Sequence, residues 1–120
     1  MATSTINNIA SIVETGTEGD WTYRKWSDGT AECWRAWSSG AYSGTLVNGW
    51  YCRDFNGLQF PTDLFIEAPF ASFSLYSWNT GYYWGGVRNV NKATFGITTF
   101  NNASSSAVAN GKIYAIGKWK

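Results

Sequence analysis

A chain of 120 residues with 13 glycines and 18% aromatics fits one domain of the all-β class, because a split would leave pieces too small to bury a core. Its formal net charge of +1 gives no electrostatic case for nucleic acid or an anionic membrane, and its apolar runs are too short to insert into a bilayer. Histidine is absent and the two cysteines have no metal-ligand spacing, which argues against a metal, a cofactor or a His-activated nucleophile.

Residues 1–12 read as a leader to something upstream, and 13–120 as the folded domain. Ile6, Ile9 and Val13 fall at helical spacing, but so short a helix cannot hold itself in water without sister chains. From Val13 the pattern turns extended. "DWTYRKW" and "TAECWRAW" flank Asp28-Gly29, a strong hairpin signal. Further strands are predicted at 46–55, 63–67, 71–76, 82–90, 94–100 and 112–120. Turns are predicted at Ser38-Ser39-Gly40, Asn48-Gly49, Asn56-Gly57, Asn79-Thr80-Gly81, Gly85-Gly86 and Asn110-Gly111. Short strands between Gly/Asn turns predict one small β-sandwich or jelly-roll-like domain. Cys33 and Cys52 allow one disulfide; two free, mostly buried thiols are the plainer reading and fit folding in a bacterial cytoplasm.

A two-residue turn at Asp28-Gly29 sets Trp26 opposite Ala31, Lys25 opposite Glu32, Arg24 opposite Cys33 and Tyr23 opposite Trp34. Trp21, Tyr23, Trp34 and Ala36 then share a core face, with Lys25 and Glu32 paired at its rim. The other face carries Trp26, Cys33, Arg35 and Trp37, the candidate interface residues, mixing aromatics and arginine as protein interfaces do. Coverage of that face by loops of the same chain is the competing reading, and a one-residue slip would exchange the two faces.

The residues Val13, Glu14, Gly16, Trp21, Tyr23 to Trp26, Gly29, Glu32 to Trp34 and the closing Gly117 to Lys120 carry a resemblance. Together with "VRNVNKATFGI" at 87–97 and Phe60-Pro61, they are similar to the C-terminal head domains of bacteriophage tail-fibre and baseplate receptor-binding proteins of Gram-positive gut bacteria. Both ends of the chain are covered well and the middle thinly. Arg35 departs from the family's usual glycine. The resemblance implies a β-sandwich head on a fibre shaft, a homotrimer at the virion tail tip, assembled in the bacterial cytoplasm. It also implies non-catalytic binding of a host cell-wall or surface saccharide. A carbohydrate-binding module of a secreted protein and a purely structural trimer cap are the competing functions.

The candidate saccharide contacts lie in the middle. "VNGWYCRDFNG" offers Trp50, Tyr51, Arg53 and Asp54, and "YSWNTGYYWGG" offers Trp78, Asn79, Tyr82, Tyr83 and Trp84. A pyranose presents an apolar face to an aromatic plane and hydroxyls to amide, carboxylate or guanidinium partners. Core packing and strand-edge contact between subunits compete for the same aromatics. The eight carboxylates are scattered, and no pair is placed by sequence as a glycosidase requires.

Overall fold

The computed structural model describes residues 9–77, 82–102 and 106–120. Among them are nine strands and no helix: β1 (Ile12–Glu18), β2 (Trp21–Trp26), β3 (Thr30–Ser43), β4 (Thr45–Val47), β5 (Trp50–Gln59), β6 (Phe70–Ser77), β7 (Tyr83–Arg88), β8 (Thr94–Asn101) and β9 (Ser106–Lys118). All pair antiparallel, in two sheets. Sheet A has the order β1-β2-β3-β9-β6 and sheet B the order β4-β5-β8-β7. The expected all-β, sandwich-like architecture is therefore present, and the single residue Gly44 carries the chain from one sheet to the other.

The core lies between the sheets, where alternate residues of each strand meet. Trp21, Cys33, Trp37, Ile113 and Ala115 of sheet A pack with Phe95 and Ile97 of sheet B. Aromatic pairs fill this core, and Trp37 with Phe55 joins the two layers. Phe60 stacks on Phe95 at 4.6 Å between centroids, and Trp37 meets Phe55 and Phe73 edge-on at 5.1 and 5.5 Å. Each such pair contributes about 0.5–1.5 kcal/mol beyond its buried area. The Trp21 indole N–H donates to the Gln59 carbonyl at 2.9 Å, a polar tie from one sheet to the other.

The opening hairpin differs from expectation by one residue. Lys25 pairs with Ala31, Arg24 with Glu32 and Tyr23 with Cys33, leaving a three-residue loop, Ser27 to Gly29. Gly29 sits at φ +94°, its N–H donates to the Trp26 carbonyl, and Asp28 accepts from the Thr30 N–H. This is a turn followed by a residue of positive φ, the bulged alternative to the two-residue loop. The extra loop residue turns all of β3 over. Cys33 and Trp37, expected at an interface, are core, and Trp34, expected in the core, lies on the outer face. Lys25 accordingly pairs with Glu14 at 3.6 Å, and Glu32 with Arg24 instead.

Four expected turns are absorbed into strands, Asn56-Gly57 among them as a bulge in β5 with Gly57 at φ +69°. Ser38-Ser39-Gly40 is a bulge in β3, with Gly40 at φ +66°. Gly85-Gly86 and Asn110-Gly111 lie inside β7 and β9. Gly111 gives space: a Cβ there would fall 2.3 Å from the Phe73 ring, which lies across the strand at that point. The expected strand at 63–67 is irregular, because Asp63 takes φ +54° between Pro61 and Pro69. Leu64 and Phe65 of this segment are buried and close one end of the core.

That same end gathers both termini of the described domain. Ile12 pairs with Trp26, and Ser11 already bonds Ser27. The Trp119 N–H donates to the Gly29 carbonyl at 2.9 Å. From there β3 and β9 run side by side to the far end, where Ser43 meets Ser106.

The register gives a direct test. Trp37→Ala is expected to cost about 3–5 kcal/mol, as for a large aromatic removed from a core. Trp34→Ala is expected to cost less than half of that. Urea unfolding of the two variants reads the difference, and the opposite order would restore the two-residue turn.

Candidate functional site

Alternation along β5, β8 and β7 sends Cys52 and Asp54, Thr98 and Phe100, and Trp84, Gly86 and Arg88 to the face of sheet B that points away from the core. The ladder aligns them in rows. Cys52, Phe100 and Trp84 form one row, and Asp54, Thr98 and Gly86 form the next. They line an open groove of about 410 Å³.

The groove has an aromatic side and a polar side. Trp84, 53% exposed, stacks on Phe100 with ring centroids 4.0 Å apart and planes within 11°. Across the groove the Arg88 guanidinium binds the Asp54 carboxylate at 2.6 Å, and the Thr98 hydroxyl donates to the same carboxylate at 2.7 Å. The Thr98 hydrogen bond, and after it Arg88, hold the Asp54 carboxyl below its ordinary pKa although partial burial works against them. Gly86 leaves the space between the two sides open: a Cβ added there would meet nothing within 4 Å.

The strands divide the sequence candidates. Trp50, Asp54 and Trp84 share the outer face of sheet B, while alternation turns Tyr51, Arg53 and Tyr83 to the other side. Arg53 instead reaches back to the Ser43 carbonyl at 3.4 Å and lies 5.7 Å from the Phe55 ring centroid. Tyr82 is exposed just before β7, its backbone N–H bound to the Asn102 side-chain oxygen at 2.8 Å. Trp78 and Asn79 lie outside the described residues. Arg88, Thr98 and Phe100 were not among the candidates. Only cross-strand pairing brings Thr98 and Phe100 beside Asp54 and Trp84, and Gly85-Gly86, read as a turn, hid the 84-86-88 alternation that would have pointed to Arg88.

A second feature occupies the outer face of sheet A. Glu32 is 7% exposed there, capped by its neighbours. It accepts from the Tyr114 hydroxyl at 2.5 Å, from the Trp26 indole at 3.3 Å and from Arg24, whose guanidinium lies over both Trp26 and Trp34. Burial alone would raise the Glu32 pKa, but these donors together outweigh it and hold it below the ordinary value. The same burial and hydrogen bond push Tyr114 up to about 12. Exposed Ile12, Phe70 and Ile116 surround the cluster. Of the interface candidates only Trp26 belongs to it. Arg35, in the central strand β3, alternates with Cys33 and Trp37 on the side of the core, over the Trp21 ring and paired with Asp20 at 3.0 Å.

No His, Cys, Asp or Glu cluster among the described residues is arranged to hold a metal ion. The two thiols remain unbridged. Burial, then the Glu32 charge, push the Cys33 thiol up to about 12. Comparison with family models, with curated proteins and with solved structures finds no match to this chain.

Two expectations follow from these environments. Iodoacetamide at pH 8 is expected to label Cys52 alone in the folded protein and both cysteines after denaturation; mass spectrometry counts the adducts, and native labelling of Cys33 would contradict its burial. Tyr114→Phe is expected to cost about 1.5–3 kcal/mol at pH 7, the worth of a hydrogen bond to a charged group. Because the Glu32 pKa is depressed by folding, its contribution is complete above the unfolded-state value of about 4.3 and is lost as pH falls through the lower folded value. The penalty of the mutation should therefore shrink below pH 4, read by urea unfolding across pH. A penalty that does not change with pH would mean that Tyr114 acts through packing alone.

Proposed function

We propose that the protein is a non-catalytic saccharide-binding head of the phage tail-fibre type, which holds a host surface glycan on the outer face of sheet B. The observation that carries this reading is the Trp84–Phe100 platform facing the Asp54–Arg88 pair across the open Gly86 position. Such a site offers an apolar plane to the C–H face of a pyranose and charged hydrogen-bonding groups to its hydroxyl edge. The resemblance of residues 13–34 and 114–120 to fibre heads supports the setting at a virion tail tip. The layout of the chain is compatible with it. Residues 11 and 12 enter at one end of the sandwich, and Trp84 and Phe100 lie toward the other, leaving the first end for a shaft.

The homotrimer belongs to the same proposal, with its contact relocated. The outer face of sheet A, built from Trp26, Trp34, Tyr114, Ile116 and Phe70, takes the place of the Cys33 and Trp37 face that is buried as core. Its aromatics, arginine and exposed aliphatics have the composition of an interface centre. A purely structural trimer cap would need this face alone and would leave the sheet B groove without a role.

The test pairs light scattering with binding. The expected mass is three times the 13.3 kDa chain at micromolar concentration. Trp84→Ala should leave the melting temperature within a few degrees while weakening each site about fivefold, the loss of one aromatic contact. Adhesion of the trimer to host cells should fall about a hundredfold, since three contacts act together. Normal adhesion by Trp84→Ala and Phe100→Ala would remove the groove from the reading.

A further inference from the structure

We propose that the sheet B groove selects a neutral pyranose carrying adjacent free hydroxyls and discriminates against uronic-acid, sialic-acid and phosphorylated glycans. The inference rests on the saccharide reading above and narrows it from the charges that line the groove.

Among the described residues two charged side chains line the groove, Asp54 and Arg88, and they neutralise each other at 2.6 Å. An anionic sugar needs an unopposed cation or a row of N–H donors. Here it would have to displace a carboxylate that Thr98 also holds, at 2.7 Å, or else lie beside it and be repelled. A neutral sugar meets no such conflict. An ionised carboxylate has about four acceptor positions, and Arg88 and Thr98 occupy two of them. The guanidinium likewise keeps N–H groups beyond the one directed at Asp54. Both side chains remain partly open to solvent, 45% for Asp54 and 41% for Arg88. The pair therefore presents spare acceptors beside spare donors. Two adjacent hydroxyls, one donating and one accepting, satisfy that arrangement, and a carboxylate, which only accepts, does not.

The space beside the pair has the breadth of a single ring. Trp84 and Gly86 are two residues apart on one strand, about 7 Å along it. The missing side chain at Gly86 leaves the floor bare between the Trp84 plane and the polar row. Gly86 does not have a positive φ, so a larger residue can be placed there without backbone strain.

The experiment compares matched ligands that differ only at C6: methyl galactoside against methyl galacturonide, and methyl glucoside against methyl glucuronide. Each is titrated against the full chain by NMR and by protection of Cys52, which lines the groove, from iodoacetamide. The expected result is that at least one neutral member binds and protects Cys52, and that its uronide binds at least tenfold more weakly. Asp54→Asn should narrow or reverse that preference, because it leaves Arg88 unopposed and removes one charge-assisted acceptor, a change of about tenfold. Gly86→Leu should abolish binding of both members while the melting temperature holds. A uronide that binds the wild-type chain as well as its neutral partner overturns the inference and leaves the saccharide reading standing. Failure of every sugar to bind or to protect Cys52 overturns the saccharide reading and the inference with it.

Discussion

The register of the β2–β3 hairpin is the constraint on which the rest of the structure depends, and three residues set it. Ser27, Asp28 and Gly29 form the loop, and the positive φ of Gly29 lets the chain turn back with one residue more than a tight turn requires. The closing segment secures this loop. Trp119 donates its backbone N–H to the Gly29 carbonyl and its indole N–H to the Trp26 carbonyl. Because β3 pairs with β9 along almost its whole length, the register fixed at this end extends through sheet A. The aromatics of β2 and of β3 as far as Trp37 are thereby assigned to the core or to the outer face.

This explains which features were legible in sequence. The strand-rich, two-sheet class could be read from composition and turn spacing, and so could most strand positions. The faces of β3 could not, since a two-residue and a three-residue loop both place Asp28-Gly29 at the turn, and side-chain alternation converts that one-residue difference into a complete exchange. Glycine was misread at Gly85, Gly86 and Gly111 for a related reason. A glycine can mark a turn or the close approach of a ring, and only the tertiary position of Phe73 separates the two at Gly111. At the groove, Trp84 and Asp54 were found as residue types suited to sugar. Thr98 and Phe100 come from β8, whose pairing no local pattern reveals, and Arg88 was hidden on Trp84's own strand by the turn read at Gly85-Gly86.

The two outer faces differ in how they treat charge. On sheet A the carboxylate of Glu32 is enclosed by Tyr114, Trp26 and Arg24, so its hydrogen-bonding capacity is directed inward and the surrounding surface is aromatic and aliphatic. On sheet B the Asp54–Arg88 pair lies open beside an exposed aromatic plane, and its spare positions point to solvent. A satisfied polar centre under an apolar rim suits a surface that is covered by protein. An open polar pair beside an aromatic suits a surface visited by a small, hydroxylated ligand. This contrast is what supports the proposal of assembly through sheet A and binding on sheet B.

Glu32 also bears on how the chain avoids the alternative register. If the hairpin closed with a two-residue loop, β3 would turn over and the Glu32 carboxylate would enter the space now held by Cys33 and Ala31, both of which have no exposed surface. Lys25 would be its cross-strand partner in that register, drawn away from Glu14. Desolvating such a carboxylate costs several kcal/mol unless further hydrogen bonds compensate. In the observed register the same carboxylate has three donors and Cys33 fills an apolar gap. The penalty for the slipped hairpin is thus written into adjacent residues of one strand, a charged one and an apolar one, each tolerable on only one side of the sheet.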